Sequence, residues 1–393
     1  MKARSCVIIC VCILMPCALL ISCANVIKYT ICELEMNGVL GHSNNKGLET
    51  LHPFKNQEYI MSLVTGHGLS MVIMYDGVLW GWGVNSYGEL GDGTIENRYY
   101  PVRIMDNVKI ASSAFGRTKV VTNDGELWAW GNNSRGLYGN GTTEDSTVPV
   151  KIMSDVIFVS VGELHTAIIK QDNSLWAWGA LEQEIFLDSY FPREPTRIMD
   201  DVVYVSAGFS AYTMVVTVDG VLWTWGKNFS GELGIGRGII LEHVALPPVM
   251  VMENVVHVFA GGELTGAIKE DGTLWTWGNN NVGGVGDGTR VCRYYPVKIM
   301  DDVKYATNSI AISNDGTMWA WGFRDFGGTH TMDIYPVKIM ENVAMVSSLG
   351  HTMVITYDGL LWGWGDNSYG QLGVVSISYS HIPIRIVEQK RLY

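Results

Sequence analysis

A Trp-x-Trp-Gly element returns seven times in this 393-residue chain, its first tryptophan at Trp80, Trp128, Trp176, Trp223, Trp275, Trp319 and Trp362. These pairs account for all 14 tryptophans. Steps of 43 to 52 residues between copies mark solenoids, propellers or arrays of one repeated unit rather than a single enzyme core. Seven copies also override the two or three domains that length alone would suggest.

Each copy reads as four short strands. Asp155 to Gly179 (DVIFVSVGELHTAIIKQDNSLWAWG) contains an alternating stretch, a glycine break, a second β-rich stretch and an Asp-Asn turn ahead of the tryptophans. Asp-Gly stands at that turn in the other copies, from Asp76-Gly77 to Asp358-Gly359, and Asp-Gly and Asp-Asn are two-residue hairpin signals. Downstream a proline-led strand recurs, PVRIM at Pro101 through PIRIV at Pro383, and proline fits a strand's first position. Four antiparallel strands per unit with no helical period predict an all-β fold, a seven-bladed β-propeller. The chain enters with EYIMSLVTG and leaves with PIRIV, so pairing these two in one blade is the expected closure. In the rival phase, PFK at Pro53 supplies a rudimentary extra strand and makes the first blade self-contained.

Residues two apart in a strand share a face, so Trp80 and Trp82 point one way and Gly81 the other. The intervening residue is always small (Gly, Ala or Thr), which suits an aromatic face packed against a small-residue face of the next blade. The glycine-rich NSYGELGDGT that follows resembles a phosphate loop only superficially. It joins two strands and precedes no helix N-terminus that could meet an anion.

Twenty-seven basic residues against 39 acidic give a net charge of −12 without a basic stripe, which argues against nucleic acid as a partner. At the N-terminus, MKARS precedes the apolar run CVIICVCILMPCALLI, the layout of a signal peptide over 1–22, with an uncleaved anchor as the alternative. Leu20-Ile21-Ser22-Cys23 resembles the lipobox of bacterial lipoproteins, which implies lipidation at Cys23 and a bacterial surface location. Residues 23–57 read as a tether and 58–393 as the propeller. Of the seven cysteines, only Cys23, Cys32 and Cys292 survive cleavage, so no disulfide framework is implied. Secretion from a eukaryote is the alternative location, with Asn132, Asn140 and Asn228 in glycosylation sequons.

The combination VxxVSxGxxHT at Val156 to Thr166, DGxLWxWG, NxxGxLG and PVKI resembles the RCC1 repeat family, named for the regulator of chromosome condensation, over about Glu58 to Glu388. The eukaryotic namesake is a guanine-nucleotide exchange factor working on chromatin, partners that an exported acidic chain would not meet. Plant ultraviolet receptors of this fold place tryptophans beside the Gly-x-x-His-Thr position, which here holds none. A nearer analogy is the group of secreted bacterial β-lactamase inhibitors that resemble this propeller and bind a protein through one rim. The resemblance therefore implies a protein-binding module, and with the leader and the LISC tetrapeptide the expectation is an extracytoplasmic, lipid-anchored, monomeric one with a protein partner outside the cell.

No nucleophile elbow, His-Glu-x-x-His or EF-hand loop occurs, and no metal, cofactor or catalytic residue is expected. His165 and His351, beside the glycine turn, are expected to hydrogen-bond locally. The alternative classes are a channel-sited lyase or hydrolase assembled from several blades, and a glycan-binding protein. Partner contacts are expected where repeats depart from their siblings: Ile185, Phe186, Leu187, Tyr190 and Phe191 in the third, and Ile239, Ile240 and Leu241 in the long fourth. The sixth repeat lacks the glycine turn and is the expected weak blade.

Overall fold

Every tryptophan pair lies on the third strand of a four-stranded antiparallel sheet, and seven such sheets follow one another around an axis. The computed structural model describes residues 60–180, 192–209, 211–236, 246–326 and 329–386. The leader, Cys23, the tether, Pro53, Cys32 and the eight candidate contacts (Ile185, Phe186, Leu187, Tyr190, Phe191, Ile239, Ile240, Leu241) lie outside these residues. Blade 3 shows the plan: strands Val156–Val161, His165–Lys170, Leu175–Gly179 and Thr196–Met199 pair in sequence order. The blades run Ile60–Met105, Val108–Met153, Val156–Met199, Val202–Met252, Val255–Met300, Val303–Met340 and Val343–Arg385, each with its first strand innermost and its PVKI-type strand outermost.

The expected closure by a shared strand does not occur. Ile60–Thr65 pairs within blade 1 and Tyr379–Arg385 within blade 7, so every blade is one continuous stretch of chain. The ring closes instead with side chains that also join other neighbours. A serine near the end of the inner strand accepts the next blade's backbone N–H: Ser112 from Val161 (3.1 Å), Ser160 from Ala207 (3.0 Å), Ser206 from Ala260 (2.9 Å) and, across the seam, Ser347 from Thr65 (3.0 Å).

The core is divided in the same way, into seven apolar clusters with one wedged between each pair of adjacent blades. The second tryptophan of each pair is buried there, and packing is not its whole role. In five blades its Nε1–H donates to a carbonyl of the preceding blade's glycine-rich loop: Trp130 to Glu89 (2.8 Å), Trp178 to Leu137 (2.7 Å), Trp277 to Glu232 (2.8 Å), Trp321 to Gly284 (2.6 Å) and, at the seam, Trp82 to Gln371 (2.9 Å). The loop glycine is obligatory, since a Cβ on Gly91 would stand 2.7 Å from the Trp130 Nε1. The loop asparagine organises the same turn. Asn85 Oδ1 accepts from Leu90 N while its Nδ2 donates to Thr94 O, and Asn280 repeats the pattern with Val285 and Thr289. Asn228 is buried in that role, which disqualifies one of the three sequons.

Blade 6 replaces the glycine-rich connection with a hairpin, its third strand running Met318–Phe326 and its fourth Thr329–Met340.

Candidate functional site

The first-to-second-strand turns and the glycine-rich loops emerge on one side of the ring, around one mouth of the channel. The turns carry no constant tip: His67, Phe115, Glu163, Phe209, Gly262, Ser309 and Gly350 in blade order. Three of these tips meet. The His67 ring lies 4.2 Å from Phe115 and 5.7 Å from Phe209, centroid to centroid, and the two phenyl rings stand edge to face at 5.4 Å. Blades 1, 2 and 4 thus contribute to one aromatic cluster at the mouth. Phe115 has φ +48°, a left-handed conformation that costs a bulky residue on the order of 1 kcal/mol or more.

Beside the cluster is a cavity of about 750 Å³, lined from blades 1, 2, 3 and 7. Tyr87 (53% exposed) and Tyr369 (43%) flank it, each ring seated on a neighbouring blade's turn glycine. A Cβ on Gly116 would meet Tyr87 at 2.8 Å, and one on Gly68 would meet Tyr369 at 3.1 Å. Tyrosines held in this way offer a fixed free face at little entropic cost.

Charged groups complete the lining. Arg117 is almost fully buried and its Nη2 donates to the Gly162 carbonyl (2.6 Å) and to that of Glu163. Burial, reinforced by repulsion from Arg135, lowers its pKa to about 10. Lys119 lies deeper in the blade 2–blade 3 seam, donating to Leu137 O and Thr166 Oγ1 (3.0 Å), and burial holds its pKa well below the ordinary lysine value. Glu89 accepts from Tyr87 N (2.7 Å), and burial raises its carboxyl. Its counterpart Glu232, which accepts from Ser230 N (2.9 Å), is pushed up to about 7 by burial.

The two singled-out histidines hydrogen-bond across blade boundaries rather than locally. His351 Nε2 lies 2.6 Å from Ser70 Oγ over the closing seam, and His165 Nε2 lies 3.0 Å from Thr213 Oγ1 in blade 4. Ser70 Oγ donates to Gln371 O (2.7 Å), so it accepts from His351. Burial lowers both pKa values to about 4 and leaves these rings neutral structural ties.

Inside the channel, Phe158, Tyr204, His257 and Tyr305 from four successive inner strands form a ladder with centroids 5.0 to 5.2 Å apart. His257 Nε2 donates to Ala306 O (3.0 Å) and burial lowers its pKa to about 4, which makes it a poor general base near neutral pH. The equivalent residues Ser62, Ile110 and Met345 add no carboxylate to this wall.

Among the described residues no group of three or more His, Cys, Asp or Glu side chains could hold a metal ion, and Cys292 carries a free thiol. No linear motif marks the mouth residues. Phe115, Arg117, Lys119 and Arg135 show only as departures when the repeats are laid over one another.

Seven self-contained blades, side-chain seams and one variable face define a closed β-propeller repeat protein. The chain belongs to the RCC1 repeat family: the Regulator of chromosome condensation (RCC1) repeat matches residues 76–121, 124–169, 219–268, 271–313 and 358–391, and a second description of that repeat matches 343–371. Curated relatives include a zebrafish (Danio rerio) protein RCC2 homolog, 36% identical over 86 residues, 22% of this chain and 17% of that protein. Human RCC2 is 33% identical over 86 residues, 22% of this chain and 16% of that protein. The matched stretches thus span about a sixth of these relatives. Among solved structures, human WBSCR16 superposes with a TM-score of 0.68 at 19% identity, covering 79% of this chain and 94% of that one. Yeast RCC1 (Prp20), crystallised with Kap60, gives 0.67 at 16% identity, covering 90% and 92%. At these identities the likeness is one of fold.

Proposed function

We propose that the chain is a protein-binding propeller that contacts its partner through the mouth-side face and is held outside the cell by a lipid on Cys23. The observation that carries this is the convergence of His67, Phe115 and Phe209 from three blades, with Phe115 kept in an unfavourable backbone conformation and Tyr87 and Tyr369 beside the cavity. Packing of the ring does not require these rings, since other blades carry glycine or serine at the same tip. Aromatic anchors with arginines alongside are the residue mix that dominates protein contacts. Yeast RCC1 has been crystallised with Kap60, and its structure has been described together with binding to Gsp1p and histones, which supports protein binding as this family's mode. Export rests on the MKARS leader and the LISC tetrapeptide. The sequence departures Ile185 to Phe191 and Ile239 to Leu241 are proposed as additional contacts.

The test is a crosslinking pull-down from intact cells, comparing wild type with Phe115→Ser/Phe209→Ser. A specific partner lost in the variant, at an unchanged unfolding midpoint, is expected. Unchanged capture overturns the surface, and a folded, exposed wild type that captures nothing overturns the module. Cys23→Ala should move the protein out of the membrane fraction; unchanged partition removes the lipid anchor.

A further inference from the structure

Blade 2 departs from its siblings in one chemical direction. Arg117 opens its second strand where five other blades have Leu, His or Tyr and blade 6 has Asn308, and Lys119, two residues on, stands where the others have Met, Ala, Gly or Ile. Arg135 occupies the loop position filled by Tyr87 in blade 1 and Tyr369 in blade 7. Three cations are thus gathered at one seam of a chain whose net charge is −12.

Protein acceptors do not satisfy the two arginines. The Arg117 side chain lines the cavity while only 4% exposed; among the described residues its Nη2 alone is hydrogen-bonded, and its buried Nε has no partner. A guanidinium has five N–H donors, and leaving them unpaired away from bulk water is costly. Arg135, exposed on the same lining, makes no ion pair among the described residues and repels Arg117. Three carboxylates also line the cavity, and two are committed: Glu89 to Tyr87 N, and Asp366 to Ser368 and to Gln371 Nε2 (2.9 Å). Glu163 remains, one carboxylate on a lining that carries two guanidinium groups.

We propose that the blade 2 side of the mouth is an anion-recognition site that takes an oxyanion presented by the protein partner, between Arg117 at the floor and Arg135 at the rim, with the Phe115 and Tyr87 rings flanking the residues on either side of it. The Arg135 guanidinium can donate paired, charge-assisted hydrogen bonds to a carboxylate or a phosphoryl group, and Arg117, whose Nη2 is already given to two carbonyls, adds a single one from Nε. Lys119 is already bonded inside the seam and acts as a positioning residue, holding Leu137 O and Thr166 in place. The proposal rests on the protein-binding function above and specifies what the partner must carry.

The test titrates the full chain, labelled with 15N-arginine, with acetyl-Ala-Glu-Ala-amide and with its glutamine and phosphoserine counterparts, following the Arg117 and Arg135 Nε–H resonances. Saturable shifts with the glutamate or phosphoserine peptide and none with glutamine are expected, and the tighter of the two names the source of the oxyanion. Arg135→Gln should weaken binding about tenfold or more without changing the unfolding midpoint. Arg117→Lys keeps a cation at the seam if Arg117→Gln fails to fold, and it too should lose the Nε–H donor and bind at least about tenfold more weakly, read at Arg135. Equal response to glutamate and glutamine, or no response at Arg117, overturns the proposal. These probes need no partner. A failed titration with partner capture intact removes the anion site alone, and a saturable titration with nothing captured removes the binding module alone.

Discussion

The two faces of the ring are built to different rules. On the face opposite the mouth, the turn before each tryptophan strand puts Gly or Asn in the left-handed region, and each blade-to-blade turn does the same with Asn or Asp, from Asn107 (φ +62°) to Asn342 (φ +63°). The residue that opens the next blade always donates its N–H to the preceding turn carbonyl: Val108 to Gly77, Val156 to Gly125, Val202 to Asn173, Val255 to Gly220, Val303 to Gly272 and Val343 to Gly316, at 2.8 to 2.9 Å. Around the mouth no two adjacent tips are alike. Backbone hydrogen bonds hold one face uniform, and side chains on the other are left free to differ, so one face carries the scaffold and the other the recognition.

That division breaks if scaffold and contact residues cannot be separated by mutation. The largest effect should come from Trp130→Ala, which empties a seam and leaves the Glu89 carbonyl with Thr118 Oγ1 as its remaining side-chain donor, at about 3–5 kcal/mol in urea unfolding. Trp82→Ala at the closing seam should cost as much, and a much smaller loss would show that this seam is not equivalent to the others. Next is pH. His165, His257 and His351 have folded pKa values near 4, below the unfolded value of about 6.5, so their contribution is intact above that pH and is lost as the pH falls toward 4. Denaturation curves should show stability falling through this window, on the order of a few kcal/mol per buried histidine, and His351→Gln should flatten the fall. The smallest and sharpest test pairs the two faces. Gly125→Ala, at φ +77°, should cost about 1 kcal/mol and leave partner capture unchanged. Phe115→Gly should change stability by less than about 1 kcal/mol, because relieved backbone strain offsets lost ring contacts, and should abolish capture. The opposite pattern would dissolve the distinction between the faces.

Much of the scaffold is legible in the sequence because its rules are local: the Asp-Gly turns, the strand alternation and the proline-led outer strand each act within a few residues. The seams are less so. Nothing near Ser347 says that it meets Thr65, and nothing in the Trp-x-Trp-Gly element says which carbonyl its second indole will reach, because those partners are about a blade apart or at opposite ends of the chain. The closing strand expected from EYIMSLVTG and PIRIV fails for the same reason, since strand-like stretches at the two ends do not say whether they share a sheet. The mouth is harder still. GHG, AFG and GFS read as three unrelated turns until the ring brings His67, Phe115 and Phe209 together, whereas an insertion such as ALEQEIFLDSYFPREP departs from its siblings within the linear sequence.

A ring in which no blade borrows a strand has no privileged starting point. Ile60 and Arg385 belong to blades that meet through the same contacts as other neighbours, and the Asn or Asp turns mark equivalent places to cut. Joining the two termini and reopening the chain at Asn107 or Asn254 would reorder the gene while asking no strand to find a new partner, and by the same logic a blade can be duplicated or exchanged as a whole cassette.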